Sequence, residues 1–276
     1  MSVSDAQYAA LLQRIEELEG DNRYLSHVGV IRKEIEDLNK DFFTEVAKGN
    51  VPGHRLEGIQ MQGSVDTTMG DVWGGTGDMV FPTTAETWEI VSSSANDTSA
   101  GTGMRTVQIV SLDATKLRQA QTVTLNGTTA VVLTGTHTRP HLIVGVDSGS
   151  TGANEGVITL QVSVAGAVRN VIPIGVGISH DGHFTVPSNE TAQFLNLFLL
   201  AQKNSNITGK TQISDGTNSN ATNVHSADVF IYQSIVNFEV FARLPLASSS
   251  DIRIQAKDGS STFDTTFIYE MLFIEN

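Results

Sequence analysis

The sequence predicts a mainly β protein: an N-terminal α-helical, coiled-coil-like stem followed by an antiparallel β-sandwich or jelly-roll. Three observations carry this. Charged residues make up only 17% of the 276 residues, while 25 glycines and abundant Thr, Ser and Asn supply turns. From about residue 85 onward the apolar residues alternate or form short β-rich runs bounded by turn residues. The first 49 residues instead hold 16 of the 47 charged side chains and step their apolar residues by three and four.

The stem comes first. Ser4 and Gln7 have the spacing of a capping box, which satisfies amides at a helix start. Tyr8, Leu11, Ile15, Leu18, Asn22 and Leu25 then follow a heptad seam, which resumes after Ser26–Gly29 with Ile31, Ile35, Leu38, Phe42 and Val46. Gly49, Asn50, Val51 and Pro52 end it, because Gly caps a helix and Pro cannot continue one. So narrow a stripe fits helices from sister chains, and these seam residues are the candidate oligomerisation residues, with a trimer the favoured state. Asn22 on the seam fits a register device, since a polar group there penalises wrong registers. A helical hairpin folded back on its own chain is the competing arrangement.

Residues 50–83 have no steady period and are punctuated by Gly58, Gly63, Gly70, Gly74, Gly75 and Gly77; they read as an extended connector. Residues 84–276 read as the β-sandwich domain, in one or two subdomains. Its strand signals are 88–91, 105–110, 123–125, 130–133, 142–146, 157–162, 171–174, 183–186, 194–200, 229–232, 238–241, 252–255 and 267–273. No helix-length pattern separates them, which excludes the crossover helices of a parallel sheet. Asn126-Gly127 is the strongest hairpin signal. Residues 204–224, nearly all polar, read as a long exposed loop or hairpin.

Composition narrows the function. A formal charge of −13 repels phosphates, so nucleic acid is not an expected partner. With no cysteine, thiolate metal sites, disulfides and cysteine nucleophiles are excluded. The N-terminus lacks the pattern of a secretory signal. The longest apolar run, 194–201, falls short of the roughly 20 residues that span a bilayer, so no membrane insertion is expected.

Several residues carry candidate chemistry. The stretch SSSANDTSAGTG, 92–103, has the glycines of a phosphate loop, but a strand-like alternation follows it where such a loop opens a helix, and no Lys-Ser/Thr pair is present. It reads as an ordered turn in which Ser, Asn and Asp oxygens serve nearby amides, with calcium at Asn96 and Asp97 as the lesser reading. His180, Asp181 and His183 have the most metal-like spacing, set against an ordinary Asp-Gly turn. His137 and His141 lack a third ligand in sequence, and Glu86 and Glu89 could form a carboxylate pair of the glycosidase kind only if buried and correctly separated. No nucleophile-elbow motif occurs. Trp73, Trp88, Phe194 and Phe198 read as core or subunit-contact residues. No enzyme and no cofactor is expected.

The segments DVWGGTG (71–77), SSSANDTSAGTG (92–103), Arg105-Thr-Val, SLD (111–113), GSTGANEGVITL (149–160) and LPLASSSDIRIQAK (244–257) together resemble a module in structural proteins of tailed bacteriophages, marine ones especially. The resemblance covers residues 70–276; it leaves out the stem, and Met104 stands where the module has a small residue. It implies a non-enzymatic place on the virion, as an oligomeric head fibre, spike or capsid decoration contacting other virion proteins. A tail fibre or baseplate protein, or a lectin-like module for host surface glycan, is the alternative.

Overall fold

The computed structural model describes residues 9, 10, 13, 42–164, 166–179, 181, 183–201, 205–213, 223–231, 235–239, 245–258 and 263–276. The chain divides into two compact units, residues 1–56 and 57–276. In the first unit Ala9, Ala10 and Gln13 are helical, and a six-residue helix α1 (Phe42–Ala47) buries Val46 and exposes Phe42. Gly49 follows it at φ +76°, with its amide donating to the Val46 carbonyl, the left-handed cap expected of Gly there. The seam residues Tyr8, Leu11, Ile15, Leu18, Asn22, Leu25, Ile31, Ile35 and Leu38 lie outside the described residues, as do Ser4 and Gln7.

The rest of the chain is antiparallel β structure. Seventeen strands follow α1 among the described residues: β1 (His54–Val65), β2 (Gly70–Asp71), β3 (Trp88–Ser92), β4 (Met104–Leu112), β5 (Arg118–Thr124), β6 (Val131–Val132), β7 (Arg139–Ser148), β8 (Ile158–Val162), β9 (Val168–Ile172), β10 (His183–Thr185), β11 (Glu190–Ala201), β12 (Ser205–Ile213), β13 (Asn223–Ile231), β14 (Ile235–Glu239), β15 (Pro245–Leu246), β16 (Asp251–Asp258) and β17 (Phe263–Glu275). They build two sandwiches. One sheet of the first runs β1-β17-β11-β14 and the facing sheet runs β10-β16-β12-β13, with β2 also on β16. Long-range pairing of this kind over eight main strands is the two-sheet pattern of a jelly roll. The second sandwich faces a four-stranded sheet, β6-β3-β8-β9, with a three-stranded one, β5-β4-β7.

Two separate apolar cores match the two sandwiches. Met61, Val72, Phe184, Phe194, Ile254, Tyr269 and Phe273 belong to the first, and Trp88, Ile90, Val107, Ile109, Ile143 and Leu160 to the second. Trp88 and Phe194 are therefore core side chains, as their sequence context suggests, and Trp73 is buried with Met79 and Val171.

The second sandwich is inserted within one strand of the first. On β16, Ala256 and Gln255 pair with Gly70 and Asp71, the Val72 amide donates to the Ile254 carbonyl, and Arg253, Ile252 and Asp251 pair with His183, Phe184 and Thr185. Residues 70–72 and 183–185 thus occupy consecutive places along one edge, and the chain between them leaves and returns at a single point. Alternation confirms the continuity: Val72 and Phe184 both enter the jelly-roll core, while Asp71, His183 and Thr185 share the opposite face with Gln255, Arg253 and Asp251.

The structure differs from the sequence reading at two places. Residues 54–65, read as connector, are a full strand, in which Ile59, Met61 and Val65 are buried at period two. Gly63 falls in this series because the β1 backbone there lies against the backbone of Trp73, leaving no room for a Cβ. Asn126-Gly127 does not turn a hairpin: β5 pairs with β4 and β6 pairs with β3, so the turn carries the chain from one sheet to the other. Within 204–224 the described residues, 205–213 and 223–224, are strand, and β12 and β13 pair antiparallel along nine residues each, in keeping with the hairpin reading of this stretch.

Candidate functional site

The loops at one end of the inserted sandwich form its most organised surface. β7 spans ten residues, from Arg139 beside the jelly roll to Ser148, which pairs with Met104. At about 3.3 Å per residue this end lies about 30 Å along the strand from the insertion point. Three loops meet there: 92–103, 149–156 and 173–177.

Asp97 joins the first two. It is fully buried, and its carboxylate accepts from Ser92 Oγ (2.6 Å) and from the amides of Met104 (2.8 Å), Glu155 (2.9 Å) and Gly156 (2.9 Å). Its carbonyl accepts from the Gly127 amide. Two further groups complete the weld. Asn154 donates to the Gly156 and Pro173 carbonyls and accepts from the Gly177 amide. Glu155 accepts from Asn96 Nδ2 (2.6 Å) and from the Thr102 hydroxyl. The glycines of the Ala100–Gly103 loop serve this packing: a Cβ at Gly103 would sit on Asp97 Oδ1, and one at Gly101 on the Asn96 carbonyl. The ordered-turn reading therefore holds, and the Asp97 carboxylate faces four protein donors where a calcium ligand would face the ion.

Met104, the departure from the phage module, is buried, and its thioether occupies the space that a side chain at Gly145 would need. Beside it the Gly145 amide donates to the Gly177 carbonyl, which brings exposed Val146 next to exposed Ile174 and Val176. Asp147 is also exposed, 3.9 Å from Arg105. The tip thus presents aliphatic and polar side chains on a backbone held by buried hydrogen bonds.

Of the metal-like triplet, Asp181 and His183 are among the described residues. His180 lies outside the described residues, and among the described residues no group of three metal-ligating side chains converges. His183 is buried with Nδ1 2.9 Å from Met79 Sδ and its ring edge-on to Phe81. Burial, with Arg139, His141 and Arg253 nearby, holds its pKa well below the usual imidazole value. Asp181 is also buried, without a hydrogen bond to either oxygen, and burial pushes its carboxyl well above the usual carboxylate range.

The remaining candidates have separate partners. His137 stacks on Trp88 at 4.9 Å with Ser111 Oγ at 2.9 Å, whereas His141 stacks on Phe184 at 4.3 Å. Burial lowers the His137 pKa. Glu86 takes Arg169 through both carboxylate oxygens (2.7 and 2.8 Å) and Trp88 Nε1 (3.0 Å). Burial pushes its pKa up, but these donors outweigh it and the net shift is downward. Glu89 instead accepts from Gln161 and Ser163. Each carboxylate is a cross-strand fastener, and the two do not face one reacting centre. The sequence offered no sign of Asn154 or Glu155 as loop hubs, because their partners lie up to 59 positions away.

No protein-family model and no curated protein matches the chain. Among solved structures it is similar to that of infectious bursal disease virus, Gx strain, at 9% identity over 86% of this chain and 77% of that one, with a TM-score of 0.22. It is also similar to the VP2 subviral particle of the same virus, at 9% identity over 80% of this chain and 72% of that one, with a TM-score of 0.23. A likeness of this size carries no argument about function.

Proposed function

We propose that the chain is a virion structural protein of the head-fibre or capsid-decoration kind, as its resemblance to the tailed-phage module implies. The jelly roll attaches to or builds part of the particle, and the inserted sandwich projects from it. The observation that supports this most directly is the single insertion point in one jelly-roll strand, with a rigid loop tip about 30 Å further on. Jelly rolls serve in viral capsids and in lectins alike, so fold alone does not choose between them. The exposed aliphatic side chains Val146, Ile174 and Val176 favour contact with a protein surface over stacking on a sugar.

The N-terminal seam assembles the copies, as a trimer, and repetition of the tip raises weak contacts into useful avidity. Light scattering on the purified chain and on a chain lacking residues 1–49 tests this: the expected masses are those of a trimer and a monomer. Equal masses remove the stem's role. Antibodies raised to the 149–156 loop decorate intact particles if the tip projects, and their failure to bind particles that contain the protein excludes the projection.

A further inference from the structure

We propose that Arg139 and Asp251 form a rigid joint that fixes the direction in which the inserted sandwich leaves the jelly roll. The two large apolar cores are separate, and the contacts that bridge the bodies, His141 on Phe184 and Trp73 with Val171, are less directional than a forked ion pair, so the angle between the sandwiches rests on polar contacts as well. Those contacts are gathered at the insertion point.

Arg139, the first residue of β7 in the insert, lies with Asp251, the first residue of β16 in the jelly roll, both with side chains 4% exposed. Its guanidinium donates to both carboxylate oxygens (3.0 and 3.1 Å), and its third nitrogen donates to the Pro82 carbonyl at 2.6 Å. Thr185, on the returning strand, donates its hydroxyl to the same Asp251 (2.6 Å). From the jelly-roll side Arg253 donates to the Met79 carbonyl (2.6 Å), and Asp71 accepts from the Met79 amide (2.6 Å). Two guanidiniums from opposite sandwiches therefore hold one short ribbon, Met79–Pro82, and Phe81 lies under both, 5.1 Å from Arg139 and 4.9 Å from Arg253. A second fastening, Lys116 Nζ to the Ser249 carbonyl with the Ser188 amide to the Lys116 carbonyl, joins left-handed residues of the two bodies.

Bidentate guanidinium–carboxylate pairing fixes direction as well as distance, and a lysine keeps the charge without the fork. Arg139 is thus a positioning residue, and Arg139→Lys is the informative change. The chain has no cysteine, so Ser150→Cys at the exposed tip and Lys257→Cys, at the exposed position of β16, place spin labels uniquely. Labelled chain, diluted into unlabelled protein, gives a narrow distance distribution by dipolar electron resonance if the joint is rigid. Arg139→Lys broadens it while the Val107 and Ile109 amides in the insert core keep their slow hydrogen exchange. In the same variant the Met79 amide exchanges roughly tenfold faster or more, the factor expected for one charged hydrogen bond. A narrow, unshifted distribution in the variant overturns the proposal, as does a broad one in the unmodified chain. Should Arg139→Lys fail to fold, exchange in the unmodified chain decides: Met79 protected like Val107 supports the joint, and Met79 exchanging like an open loop defeats it.

Discussion

Asp97 shows how much a single side chain decides here. Its carboxylate ties the 92–103 loop to the 149–156 loop, and three of its four donors are backbone amides that no rotamer change can redirect. Asp97→Ala leaves those amides buried without an acceptor. At about 1–3 kcal/mol for each orphaned group, the expected loss is about 3–5 kcal/mol of unfolding free energy in urea titration. Asp97→Asn keeps one acceptor oxygen but turns an NH2 toward donors, so it also destabilises, by about 2 kcal/mol. Val164 makes the opposite case. It is a fully exposed β-branched residue at φ 70°, where the side chain gains nothing and the backbone is strained. Val164→Gly is expected to stabilise by about 0.5–1 kcal/mol in the same titration, after the entropy that glycine adds to the unfolded chain.

At the scale of elements, the interrupted strand is the informative feature. Residues 70–72 and 183–185 fill one edge between them, and Val72 and Phe184 already present the correct face to the core. A chain with residue 72 joined to residue 183 through two glycines is expected to keep a folded jelly roll. The face laid open carries Asp71, His183, Thr185, Arg253 and Asp251, which water solvates readily. A β-type far-UV circular dichroism spectrum with one cooperative urea transition is the expected result, and a spectrum of unfolded chain contradicts it. Only its second half was legible in sequence, as the strand signal of 183–186. The first half, 70–72, is too short for alternation to be read, and 110 residues separate the two. β1 was legible in part: Ile59, Met61 and Val65 alternate with Gln60, Gln62 and Ser64, but Gly58, Gly63 and the glycines after it obscured the period. β4 and β8, by contrast, stand where the alternation of 105–110 and the apolar run of 157–162 put them, because local burial on one face writes itself into neighbouring residues.

For the whole molecule, buried titratable groups set how stability depends on pH. His183 has a folded pKa below its unfolded value of 6.5, so below pH 6.5 the unfolded chain binds more protons and stability falls with acid. His137 acts in the same direction. Asp181 has a folded pKa well above its unfolded 3.8, so the folded chain holds the extra proton and stability falls as pH rises from 3.8 toward that folded value. Asp71, raised by burial, adds to the Asp181 effect. Above pH 3.8 the raised carboxyls and the lowered imidazoles pull in opposite directions. Asp181→Asn removes one opponent: relative to the unmodified chain it gains stability with rising pH, by about 1.4 kcal/mol per pH unit while the Asp181 proton is held. Urea titrations of both proteins at pH 4.5, 5.5 and 6.5 measure this, and a constant difference across the three contradicts it.

The sequence by itself determined the β class, the turn character of 92–103 and the placement of Trp88 and Phe194 in cores. Each of these follows from contacts that are local or from burial of one face of a strand, and so repeats at short spacing along the chain. Only the tertiary structure decided that one sandwich is inserted in an edge strand of another, that Asp97 governs loops nearly 60 positions apart, and that Asp181 and His183 are buried beside different neighbours. Those depend on pairings between distant residues, and a pairing energy shared by two remote positions leaves no period in either one.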